Sequence, residues 1–140
     1  MDEIKYRVID HTADVGIHVY GADPKKLFAN AAYALFDLIT ELKALKDTRT
    51  MKITVTGEGW SDLMVNWLRE LLYCWAGRER LVKQAEILTI SPNKLVASLN
   101  YDSYDPDLHI IKEEIKAVTY HQLEVKSAPS GWEARIIFDV

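Results

Sequence analysis

Asp10-His11-Thr12-Ala13-Asp14-Val15-Gly16 places two carboxylates, an imidazole and a hydroxyl within five residues, between stretches that alternate like strands. A hydrophobic core does not need polar groups at that density. Two carboxylates held in different environments can act as a general acid/base pair, or can offer oxygen ligands to a hard cation. The same spacing also suits a tight turn in which Asp10 and Thr12 accept hydrogen bonds from local backbone N–H groups. It does not make a calcium EF-hand loop. Counted from Asp10, the third position is Thr12, the glycine comes seventh instead of sixth, and the twelfth position is Gly21 instead of glutamate.

Phe138-Asp139-Val140 forms a second cluster at the end of the sequence. If Val140 is the native end, its α-carboxylate adjoins the Asp139 side chain, and the two repel unless something positive lies between them. A hard cation is one solution. A Lys or Arg is commoner, and plain solvent exposure is commoner still. The third stretch is Lys112-Glu113-Glu114-Ile115-Lys116-Ala117-Val118-Thr119-Tyr120-His121, which sets Lys and His near strand ends. Taken singly, His121, His18 and His109 read as structural or surface histidines. The single cysteine, Cys74, rules out an intrachain disulfide and a Cys-cluster zinc site. No HExxH pair, GxSxG elbow or phosphate-cradling glycine loop is present.

The elements that must hold these residues follow from periodicity. Ile4, Tyr6 and Val8 alternate as a strand, and so do Val15, Ile17 and Val19. Asp23 and Pro24 predict an N-cap and an N1 residue for a helix, whose apolar stripe is Leu27, Phe28, Ala31, Ala32, Leu35, Phe36, Leu38 and Ile39. Glu41 to Thr50 reads as a polar connection. Met51, Ile53 and Val55 predict a strand. Gly59 or Ser61 then opens a second helix through Trp75, with Gly77 as its stop signal. That helix is apolar on more than one face near Leu71-Leu72-Tyr73-Cys74-Trp75, which fits coverage by a sheet and by loops better than an exposed partner patch. Val82 to Ile90 and Leu95 to Tyr101 read as a hairpin about Ser91-Pro92-Asn93-Lys94. A polar loop over Asp102 to His109 follows. Ile115 to Tyr120 and Leu123 to Val125 read as strand segments, and Trp132 to Val140 as a last strand. The order predicts an α+β fold, largely antiparallel sheets with two main helices packed on them.

The 140 residues match one domain, taken as 1–140, and the apolar share of 49% with 27% charged residues excludes a disordered chain. No apolar run reaches the ~18–20 residues of a membrane span, and the acidic start lacks a signal peptide's basic and apolar regions. A cytoplasmic protein is expected. The net charge of −4 and the scatter of basic residues, none in a run longer than Lys25-Lys26, argue against strong direct nucleic-acid binding. A basic protein partner or a metal cation suits that balance better, and a small local basic patch stays open.

Several of these stretches together resemble the archease family: His11-Thr12-Ala13-Asp14-Val15-Gly16, Leu27 to Ala32 with Ala34-Leu35-Phe36, Asn66 to Tyr73, Tyr104-Asp105-Pro106 with His109, Ile115 to His121, and the final Asp139-Val140. The resemblance runs over essentially the whole chain in order. It implies an SHS2-type fold and a protein cofactor, not an enzyme, that promotes guanylylation and multiple turnover of the RNA ligase joining tRNA exon halves. It also implies a divalent metal, typically calcium, held by Asp14, Asp139 and Val140. Oxygen-only ligation leaves magnesium or manganese open as well. Asp10, His11, Lys116 and His121 are then supporting or partner-contact candidates. Asp10 stands where relatives often carry Glu, and the chain ends in Asp-Val where most end in Asp-Ile. A chaperone role towards a tRNA methyltransferase is the alternative reading. A small metal-dependent hydrolase using Asp14 and His11 is a third, opposed by the lack of a third side-chain ligand.

Overall fold

The computed structural model describes residues 4–9, 14–46 and 49–140. The elements run β1 (Tyr6–Ile9), β2 (Asp14–Gly21), α1 (Pro24–Ile39), a short 3-10 turn (Leu42–Ala44), β3 (Arg49–Thr56), α2 (Trp60–Ala76), β4 (Arg80–Ser91), β5 (Lys94–Ser103), β6 (Ala117–Ala128) and β7 (Gly131–Asp139). Among the described residues the strands form two antiparallel sheets, ordered β1-β2-β7-β6 and β3-β5-β4. Both helices touch both sheets: α1 packs on β2 and β4, and α2 on β6, β3 and β4. This is the expected α+β arrangement, with the helices between the two sheets.

Helix α1 starts as its sequence predicts. The Asp23 side chain accepts the Lys26 N–H at 2.8 Å, and Pro24, which has no N–H to lose, occupies the first turn. Its buried residues are Leu27, Phe28, Ala31, Ala32, Ala34, Leu35, Phe36 and Ile39. The alanines let α2 approach, and Trp67 of α2, fully buried, donates its indole N–H to the Phe28 carbonyl at 2.9 Å. The doubly apolar part of α2 is covered as expected. Leu71, Leu72 and Cys74 are buried, and Trp75 packs edge-on against Tyr104. Tyr73 stays exposed with the Arg78 guanidinium over its ring.

Two expectations needed revision. The strand readings Ile115 to Tyr120 and Leu123 to Val125 merge into one strand, β6, which starts only at Ala117 and leaves Ile115 and Lys116 in the loop before it. Its pairing with β7 is interrupted between Thr119 and Glu124 by a bulge that contains Gln122 at φ 53°. The connection after α1 is also more structured than its polarity implied. It holds the 3-10 turn, and Thr40 bridges to Ile111.

Candidate functional site: the acidic end of the four-stranded sheet

The first residue of β2 and the last of β7 are direct cross-strand partners, Asp14 opposite Asp139. Partners in an antiparallel pair project to the same face, with Cβ atoms about 4.5–5.5 Å apart. On the other side of Asp139 lies Ala117 of β6. The row Asp14–Asp139–Ala117 therefore sets two carboxylates side by side next to a residue too small to cover them. Like charges directly opposite destabilise a strand pair by about 0.2–1 kcal/mol, a cost that a cation or a hydrogen-bond donor between them would relieve.

One step further along the same face the row is Gly16–Ile137–Thr119. A Cβ at Gly16 would lie 3.3 Å from the Ile9 carbonyl and 3.4 Å from the Ile9 Cβ, so the bare glycine lets β1 close over β2 just below the acidic pair. Ile137 is almost fully buried there. The carboxylates thus stand at the sheet end above an apolar step. Strand alternation alone puts Ile137 on the Asp139 face, but the part played by Ile9, Gly16 and Ala117 follows only from the register.

The loop between β5 and β6 ties this end to α1. The Thr40 hydroxyl donates to the Ile110 carbonyl at 2.7 Å, the Lys112 N–H to the Ile39 carbonyl at 2.7 Å, and the Lys116 N–H to the Asp139 carbonyl at 2.7 Å. The loop is itself pinned by His109, which is buried. Its Nδ1 accepts the Asp105 N–H at 2.9 Å, and its Nε2 lies 3.2 Å from an Asp102 oxygen. An Nδ1 that accepts leaves the proton on Nε2, pointing at the carboxylate. His109 is thus structural, as expected. His18 stacks on Tyr20 at 4.6 Å and faces Glu133 at 3.7 Å, on the sheet face well below the acidic pair.

The remaining candidates divide. Lys116 is brought to the acidic end through its backbone. Val140 follows Asp139 directly and packs partly against the core. His121 lies in the β6 bulge, where its N–H meets the Thr119 hydroxyl at 3.3 Å, further along the strand than Ala117. Asp10 and His11 lie outside the described residues. Among the described residues no three His, Cys, Asp or Glu side chains gather closely enough to hold a metal. Among the described residues, the side chains of this end contribute two carboxylates, Asp14 and Asp139. That donor set is all oxygen, which fits a hard divalent ion with waters completing its shell.

Residues 6–140 match the Archease protein family (MTH1598/TM1083). The chain belongs to the archease family. Relatives named Protein archease include that of Thermoplasma acidophilum, 37% identical over 137 residues, covering 98% of this chain and 94% of the relative. That of Methanosarcina mazei is 31% identical over 140 residues, covering 97% and 96%. The fold resembles the solution structure of Methanobacterium thermoautotrophicum protein 1598, with a TM-score of 0.80 at 25% identity, covering 97% of this chain and 99% of that one. It also resembles the crystal structure of a Thermotoga maritima archease described as a possible chaperone, with a TM-score of 0.63 at 19% identity, covering 100% and 98%. The second likeness bears on the archease fold alone. Among the described residues no helix is long and apolar enough to cross a membrane.

Proposed function

We propose that this archease is a non-enzymatic, metal-binding protein cofactor of the tRNA-splicing RNA ligase, promoting the ligase's guanylylation and its multiple turnover. Family membership supports a helper role. The observation that carries the site is the register that makes Asp14 and Asp139 direct partners. In this reading Asp14, Asp139 and the α-carboxylate of a chain ending at Val140 hold one divalent ion, calcium by preference, with magnesium or manganese as alternatives. Bound there, the ion supplies a hard Lewis acid with positions open to oxygen ligands. The chain's own residues fix its place: β2 and β7 hold the carboxylates in register, and the Lys116 N–H fixes the backbone of Asp139. Asp10, His11, Lys116 and His121 are the candidates for contact with the partner, in a cytoplasmic setting.

The test mixes catalytic amounts of ligase and GTP with this protein and follows the ligase–GMP adduct. Wild-type protein accelerates adduct formation, and Asp14→Asn does so at least about tenfold less well, a loss equivalent to about 1.4 kcal/mol. No acceleration by wild type, or equal acceleration by the variant, contradicts the proposal.

A second reading is that of a chaperone for a tRNA methyltransferase or another RNA-processing enzyme. It is a helper role of the kind that membership of the archease family also supports. Co-purification with a methyltransferase, without any effect on ligase, would select it.

A further inference from the structure

The basic residues that look scattered in sequence are partly gathered by the fold. Two adjoining clefts of about 460 and 330 Å³ run between α1 and β4, sharing Lys26, Ala29, Gln84 and Ala85. Lys5, Lys25, Lys26 and Lys83 line them, brought from the segment before β1, the first turn of α1 and the edge strand of the three-stranded sheet. None of the four pairs with a carboxylate among the described residues.

Local structure directs these lysines. The β4–β5 register shifts between Val82 and Gln84, which leaves Lys83 out of the ladder, and again between Ile87 and Thr89, which leaves out Leu88. Bulges of this kind re-aim side chains at sheet edges. The Lys83 ammonium donates to the Leu45 carbonyl at 2.7 Å, and the Lys25 ammonium to the freed Leu88 carbonyl at 3.1 Å. Each bond uses one of three ammonium donors and leaves the charge unneutralised. The Lys5 ammonium sits 4.0 Å over the Tyr33 ring. Of the two carboxylates in the lining, Asp23 accepts the Lys26 backbone N–H as the helix cap, and Glu86 is the other.

We propose that this groove binds the phosphodiester backbone of an RNA strand. Four ammonium groups with no carboxylate partner among the described residues, set along an open channel, match a line of phosphates. Tyr33, with its ring face under Lys5, offers no platform for base stacking, so recognition is of backbone and not of sequence. The groove runs along α1 from Lys25 to Tyr33, whereas the acidic pair is linked through the β5–β6 loop to Ile39 and Thr40 at the helix's C-terminal end, and the two share no lining residue. The two sites are separate, and the groove does not depend on the ligase reading.

Fluorescence anisotropy of a labelled single-stranded RNA oligonucleotide against the full chain tests the proposal across a salt series. Wild type binds weakly, with log K falling against log salt at a slope of about −3, as about four contacts to a single strand require. Lys5→Gln with Lys26→Gln loses about fivefold or more in affinity at low salt and flattens the slope to about −1.4. Lys94→Gln with Arg135→Gln, an equal charge change elsewhere, stays within about twofold. Lys26→Gln alone guards against misfolding, because the Lys26 ammonium has no partner among the described residues. It loses about half the effect of the double variant on the slope. Absence of binding by wild type at low salt overturns the proposal. So does equal behaviour of the groove and control variants, or polyglutamate binding as tightly as RNA, which would mark a docking surface for an acidic protein. Ligase–GMP formation without RNA, measured on the same variants, stays at the wild-type level. Its loss in wild type would count against the ligase reading and leave the groove standing.

Discussion

Asp14 and Asp139, 125 residues apart in sequence, are opposite one another at the end of the β2–β7 pair. Asp14 and Asp139, each ambiguous alone in the sequence, become two halves of one place. The cost of facing two carboxylates across a strand pair is what a cation there would relieve.

That cost is measurable without metal. In chelator, Asp139→Asn is as stable as wild type or more stable by up to about 1 kcal/mol, because a like-charge cross-strand pair is removed. Calcium at about a hundred times its dissociation constant stabilises wild type by about 2.7 kcal/mol and the variant by clearly less. Thermal unfolding of both proteins with chelator and with calcium checks this. A variant less stable than wild type in chelator by more than about 1 kcal/mol contradicts it.

The turn that sends β2 into α1 is closely packed. A Cβ at Gly21 would lie 2.4 Å from the Leu27 nitrogen and 2.7 Å from its Cα, both backbone atoms that cannot swing aside. Gly21→Ala lowers stability by about 2 kcal/mol or more. The expected signature is a lower urea midpoint with an unchanged slope.

Tyr6 ties β1 to α1 through a 2.7 Å hydrogen bond from its hydroxyl to Asp37. Burial first, and the Asp37 carboxylate second, push the tyrosine hydroxyl well above its ordinary range. The folded protein therefore holds this proton more tightly than the unfolded chain does. Its contribution is fully present below about pH 10, the unfolded value, and is lost as pH rises from there towards the higher folded value. Tyr6→Phe costs about 1–2 kcal/mol at neutral pH and removes this part of the alkaline fall. Urea midpoints at neutral pH and at about pH 11 show the difference.

Local signals read well in the sequence where they act locally. The Asp23–Pro24 start of α1, its apolar stripe, the β4–β5 hairpin and the alternation of β2 and β7 all form as their residues dictate. Pairings between distant strands did not read. Nothing in the order of strands announces that β7 inserts between β2 and β6, yet that insertion makes Asp14 and Asp139 neighbours. The β6 bulge was read as a gap, because Gln122 carries a left-handed backbone without the glycine that marks one. The acidic pair was expected only through the family resemblance, and the lysine groove not at all: Lys5, Lys25, Lys26 and Lys83 meet only when α1 packs against β4.

A calorimetric calcium titration tests most directly whether β2 and the chain end form one cation site. Wild type is expected to bind one ion with modest affinity. Asp14→Asn, Asp139→Asn and a form extended beyond Val140 should each bind at least about tenfold more weakly, a loss of about 1.4 kcal/mol. Calcium binding that is undiminished in Asp14→Asn and Asp139→Asn, or absent in wild type, would contradict the account.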